Sequence, residues 1–103
     1  MTGDYTYRLA AQASEQIAEA DAWWRINRPA APDAVCDAVD RALDDLTTFP
    51  ETGARATNAR LPGVRKVYLK RVRYHLFYRV HPARREIEVL SLWHASRGSG
   101  PDL

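Results

Sequence analysis

The chain is poor in the residues that would cross-link it, carry it across a membrane or hold a metal. A single cysteine, Cys36, in 103 residues leaves no internal disulfide framework and fits a reducing compartment. No stretch approaches the run of about 20 apolar residues needed to span a bilayer. The N-terminus, Met1-Thr2-Gly3-Asp4-Tyr5, has neither a basic n-region nor an apolar h-region, so a cytoplasmic location without membrane contact is expected. His75 and His81 have no Cys, His or carboxylate partners at metal-ligand spacing and read as exposed strand and turn residues. Neither a metal, a cofactor nor a small-molecule substrate is expected. Internal repeats and low-complexity segments are missing as well.

The most informative absence is one of charge. From Thr52 to Arg85 there is no Asp or Glu, while ten of the fifteen Lys and Arg residues fall there. Residues 1–51 carry four basic and ten acidic side chains, a balance of −6, and residues 52–103 carry eleven basic and three acidic ones, a balance of +8. The net charge of +2 therefore hides a two-sided molecule. Such a molecule draws a polyanion or an acidic protein to one region, or simply neutralises one half of its fold against the other. With 46% hydrophobic and 27% charged residues, the chain suits one domain over 1–103, which buries roughly 65% of its unfolded surface.

Taken in order, Tyr5 to Leu9 is β-prone and reads as a first strand. From about Ala11 the positions Ala13, Ile17, Ala20 and Trp24 fall on one helical stripe, ending near Asn27 before Arg28-Pro29. Trp23 and Trp24 lie about 100° apart around that helix, and both are expected to pack in the core. Pro32 at the first helical position and Asp33 in the first turn open a second helix. Val35, Val39, Ala42 and Leu46 form its apolar stripe, widened by Cys36 and Leu43, and it stops before Phe49-Pro50. Cys36 reads as a small core side chain. The short link from Arg28 to Ala31 predicts an antiparallel helical hairpin.

Residues 54–63 lack periodicity and read as a loop closed by Pro62-Gly63. Three strands follow. Val64 to Val72 sets Val67 and Leu69 against Lys66, Tyr68 and Lys70; Tyr74 to Val80 sets Leu76, Tyr78 and Val80 against His75, Phe77 and Arg79. After a turn at His81 to Arg85, Glu86 to Trp93 starts with Ile87 and Val89 inward and becomes dense enough for burial on both faces. Gly98 to Leu103 is expected to fray. The fold class is α+β, in the order β-α-α-β-β-β, with a helical hairpin on a mostly antiparallel four-stranded sheet.

With those elements in place, the segments WWRINRPAAP, LTTFPETG, PGVRKVYL, YHLFYRV and VLSLWHASRG resemble the RelE/ParE superfamily of toxins from type II toxin–antitoxin modules. The resemblance covers about residues 5–100. The closing WHASR is similar to the ParE-like, plasmid-stabilisation branch. It implies a bacterial growth inhibitor acting on DNA gyrase and neutralised by a cognate antitoxin in a hetero-oligomer. The alternatives that the superfamily leaves open are a ribosome-dependent mRNA endoribonuclease and an inactive member that only binds antitoxin.

An endoribonuclease of this kind needs a base for the 2′-hydroxyl, an acid for the leaving oxygen and cations for the phosphorane. His94, Arg65, Arg79 and Tyr78 are the candidates for that chemistry. The resemblance also implies a tyrosine just after His94 in cutting members, and here Ala95 and Ser96 stand instead; Tyr74 or Tyr78 would have to approach from the neighbouring strand. A gyrase inhibitor needs only a binding surface. For target or antitoxin the candidate contacts are Arg65, Lys70, Arg71, Arg73, Tyr74, Arg79, His94 and Arg97, with His94 alternatively a structural residue beside Trp93.

Overall fold

The computed structural model describes residues 5–98 and 100–103. Residues 1–4, read above as unlike a signal sequence, and Ser99 of the expected tail lie outside that range. Strand β1 (Thr6–Leu9) leads into helix α1 (Ala11–Asn27), and after a short connection helix α2 runs over Ala34–Thr48. Strands β2 (Ala54–Arg55), β3 (Arg65–Leu69), β4 (Tyr74–His81) and β5 (Glu86–His94) follow, with a 3-10 turn at Pro82–Arg84 between the last two. They form one mixed sheet in the order β1-β5-β4-β3-β2, in which only β1 and β5 are parallel. The expected α+β fold and helical hairpin are present. The sheet has five strands rather than four, because Ala54 and Arg55 pair with Lys66 and Arg65 inside the segment read as loop.

The apolar spacing of each element explains where it packs. Ala13 and Ala20 of α1 are buried, and so are Val35, Val39, Leu43 and Leu46 of α2, against Leu76 and Tyr78 of β4 and Ile87, Val89 and Leu92 of β5. Pro32 does not start α2: Ala34 does, Asp33 stands at the cap, and its carboxylate accepts from the Arg25 guanidinium at 2.8 Å instead of a backbone amide. Cys36 is only partly buried, and its thiol donates to Asp21 across the hairpin at 3.3 Å. Burial raises the Cys36 pKa first, and the acceptor Asp21 adds to it, so the thiol stays protonated and inert.

A bulge in β5 gives the sheet its second covered face. Phe77 pairs with Ser91 and Tyr78 with Val89, so Leu90 is the extra residue. Ser91 and Leu92 then both turn toward α1, where the Ser91 hydroxyl and the Leu92 amide donate to the Gln16 side-chain oxygen Oε1 at 2.9 Å each. On the opposite face Leu90, Phe77 and Val64 form a small second core, joined by Trp93 and by Leu103. The expectation of a frayed tail fails here. The Leu103 carbonyl accepts from the amides of Arg60 and Leu61 at 2.9 and 3.1 Å, so the C-terminus closes over this second core.

Candidate functional site

The eight expected contact residues separate into four groups. Arg71, Arg73, Tyr74, His94 and Arg97 gather at one end of the sheet, where the turn from β3 to β4 meets the end of β5. The Arg73 carbonyl ties the two together by accepting from the Ala95 amide at 2.9 Å, with Arg73 in the left-handed region at φ 63°. Lys70 instead faces a groove of about 560 Å³ between α2 and β3, which Arg71 also borders and whose walls carry Lys66 and Arg41 as well as Asp37 and Asp45. Arg65, Tyr78 and Arg79 belong elsewhere.

Arg65 and Tyr78 hold a loop. The Arg65 guanidinium donates to the Gly53 carbonyl at 2.7 Å and to that of Glu51 at 3.2 Å. The Tyr78 hydroxyl accepts from the Gly53 amide and donates to the Pro50 carbonyl, both at 2.9 Å. Tyr78 is 0% exposed, and burial pushes its phenol pKa up. A buried hydroxyl with both hydrogen-bonding directions used cannot approach the end of the sheet as a catalytic group. These two residues lock the 50–53 turn, which in turn delivers β2 to the sheet edge.

Arg79 is part of an ion-pair network on the outer face of β1, β4 and β5. Its guanidinium lies 3.5 Å from Glu88, which also receives Arg8 at 3.4 Å and His81 Nε2 at 2.8 Å. The His81 hydrogen bond, then the Arg8 and Arg79 charges, hold the Glu88 pKa below the usual carboxylate value against the cost of burial. Neither Arg79 nor His81 is therefore the exposed cation or turn residue that the sequence suggested. Arg79 stands five positions from Tyr74 along β4, about 16 Å at the strand rise, and does not share a surface with His94.

At the end of the sheet the geometry is specific. His94 Nδ1 accepts from the Ser96 amide at 3.2 Å and faces the Ser96 hydroxyl at 2.6 Å. Both partners donate to one nitrogen, so the neutral ring carries its hydrogen on Nε2. The Tyr74 ring meets the His94 ring edge-on, centroids 4.9 Å apart. Burial raises the Tyr74 phenol pKa, outweighing the opposite effect of Arg97. Arg97 stacks over Trp93 at 4.1 Å. What results is a recess of about 670 Å³ between the end of α1 and the β3–β4 turn, also lined by Trp23, Trp24 and Arg28.

Trp23 and Arg28 were not expected here. Trp24 packs on the core, but Trp23 is 48% exposed, and the Arg28 guanidinium lies 5.4 Å from its ring centre. The 100° between adjacent tryptophans was the signal: the sheet covers only one of those directions. Among the described residues, no group of His, Cys, Asp and Glu is placed to hold a metal ion, and no helix is long and apolar enough to cross a membrane.

His75, on the outer face of β4, gives the fold a pH dependence. Burial holds its pKa below the ordinary 6.5, and Lys66 acts in the same direction. The unfolded chain then takes up the proton first. Stability is full above about pH 6.5 and falls as the pH drops below it, by at most about 1.4 kcal/mol per pH unit. Urea unfolding across this range is expected to show the slope in the wild type. His75→Phe, which keeps the ring contacts with Tyr68 and Phe77, should flatten it until carboxylates such as Glu88 begin to protonate. An unchanged slope would assign the effect to another group.

Comparison with known proteins gives a consistent result. No curated protein sequence matches the chain. The solved structure described as "Chromosomal ParDE TA system from P. aeruginosa" aligns with a TM-score of 0.70 at 21% identity, covering 89% of this chain and 97% of that one, which is a likeness of fold. The family model described as ParE toxin of type II toxin–antitoxin system, parDE, matches residues 7–98. The matched span runs from β1 through the whole end face to Gly98, and the chain belongs to the ParE toxin family of type II toxin–antitoxin systems.

Proposed function

We propose that the chain arrests growth by binding DNA gyrase in its complex with cleaved DNA, and that a cognate antitoxin silences it in a hetero-oligomer. Family membership supports the toxin role and an antitoxin partner. The observation that carries the choice of mechanism is at His94. Its Nδ1 is already occupied by Ser96, and the neighbouring Tyr74 phenol is held neutral by burial. The pair presents hydrogen-bond donors to an anion and no free base for a 2′-hydroxyl. Around it stand the guanidiniums of Arg71, Arg73 and Arg97, a surface suited to holding charge rather than to moving protons. The antitoxin reading rests on the groove between α2 and β3, lined by Leu46, Val67 and Leu69 and by more cations (Arg41, Lys66, Lys70, Arg71) than carboxylates (Asp37, Asp45), which suits an amphipathic segment of net negative charge.

The second reading, ribosome-dependent mRNA cleavage, draws on the contact of Tyr74 with His94 at the strand ends. Induction of the chain without its antitoxin separates the two. A gyrase inhibitor triggers DNA-damage signalling and leaves linearised plasmid; a nuclease halts translation and leaves cut messages; an inactive member does neither. His94→Ala is expected to keep the fold and weaken target binding about tenfold, the loss of one charge-assisted hydrogen bond, visible as recovery of colony formation. A folded variant that is equally toxic would make His94 a structural residue.

A further inference from the structure

The recess at the end of the sheet does more than concentrate positive charge: it sets that charge beside a half-exposed indole, Trp23, whose ring Arg28 partly covers at 5.4 Å. Among the described residues four guanidiniums line it, those of Arg28, Arg71, Arg73 and Arg97, and no carboxylate does. None of the four is in an ion pair with a carboxylate among the described residues. The end of α1 contributes a partial negative charge of about half a unit, and Glu19 borders only the smaller hollow behind Trp23. Four full charges outweigh both. Trp23 is the exposed ring among them, and Ile26, 78% exposed, lies one helical turn on.

From this combination we infer that the recess is a binding site for single-stranded DNA, with Trp23 stacking on an unpaired base while Arg71, Arg73 and Arg97 hold the adjoining phosphates. Guanidinium forks match phosphate oxygens two at a time, and a base has a π-face whatever its sequence. An acidic peptide backbone would satisfy the charges but offer no second planar group to the part of the indole that Arg28 leaves exposed. A duplex keeps its bases stacked on one another and likewise offers Trp23 no free face. The inference deepens the reading above, because gyrase complexes expose broken strands. Its test, however, uses the purified protein without gyrase, so that either can fail alone.

The experiment is fluorescence anisotropy of a short labelled oligothymidylate titrated with the full chain between about 50 and 200 mM salt. Binding is expected, with a slope of log K against log salt of about −2 to −3, the value for three or four phosphates on a single strand. Trp23→Ala should weaken it by about 5- to 150-fold, the range for one lost base stack, with the slope unchanged. Arg73→Gln should reduce the slope by about 0.7. Arg60→Gln, on the exposed loop paired to Asp102, should change neither. If Trp23→Ala fails to fold by circular dichroism, Arg73→Gln and Arg97→Gln on the exposed turns decide alone. The inference is overturned if no binding appears at low salt, or if Trp23→Ala folds and binds equally well. It is also overturned if the matching duplex binds as tightly, or if poly-glutamate displaces the oligonucleotide more effectively than unlabelled oligothymidylate does.

Discussion

Replacing Gly53 by alanine is expected to destabilise the domain by about 3 to 5 kcal/mol, a large share of the 5–15 kcal/mol typical of a domain. A β-carbon at Gly53 would lie 2.6 Å from the Tyr78 hydroxyl and 2.8 Å from the Lys66 carbonyl oxygen. The first collision displaces a buried phenol that currently satisfies the Gly53 amide and the Pro50 carbonyl. The second pushes on the backbone of β3, which does not yield as a side-chain tip does. Urea unfolding measures the loss directly. Tyr78→Phe alone should cost about 1–3 kcal/mol through the two unsatisfied groups, and the double variant should fall short of the sum by about 1 kcal/mol, because one clash and two lost bonds share an atom. Strict additivity would show that the β3 carbonyl takes all the strain.

The second large effect separates Arg79 from the cations at the end of the sheet. Arg79→Glu should lower stability by about 2–3 kcal/mol, while Arg73→Glu should leave it within about 0.5 kcal/mol of wild type. Arg79 and Glu88 are only 23% and 17% exposed, so a second carboxylate there meets Glu88 with little water to screen it. His81 and Arg8 still hold Glu88, which keeps the cost below that of an isolated buried charge. Arg79→Met tests the cause. With the repulsion gone and the stem's packing kept, its effect should be small, and a loss as large as that of Arg79→Glu would shift the explanation from charge to the shape of the site.

How much of this was legible in the sequence follows from what periodicity carries. The spacing of Val35, Val39 and Leu46, or of Leu76 and Tyr78, fixed which sides face inward, and the helix bounds near Ala11, Asn27 and Thr48 agree with the observed ones. Strand β2 was invisible because two exposed residues, Ala54 and Arg55, have no period. It exists because Tyr78, 25 positions further on, binds the Gly53 amide. Arg65 and Arg79 looked like free cations because an alternating pattern reports the face of a strand and not the partner across it. Their acceptors, the Gly53 carbonyl and Glu88, are distant in sequence. Conversely, average behaviour places Trp23 in the core, which a helix packed on one sheet face does not allow for two adjacent tryptophans about 100° apart. The end face itself was legible in part: His94, Arg73, Arg97 and Tyr74 do come together, and Trp23 and Arg28 complete them from the other end of the chain.

The parallel pairing of β1 with β5 has a consequence for when the toxin comes into being. Arg8 and Glu86, in contact across those strands, are 78 positions apart, and closing such a loop costs about 4 kcal/mol before any contact is gained. Strand β1 therefore has nowhere to pair until β5, far behind it in the chain, has emerged. So distant a contact raises the mean sequence separation of the fold's contacts and slows folding relative to a helical bundle. Newly made chains thus pass through an interval in which the edge of β5 is open, and whatever pairs with that edge first decides whether β1 can take its place.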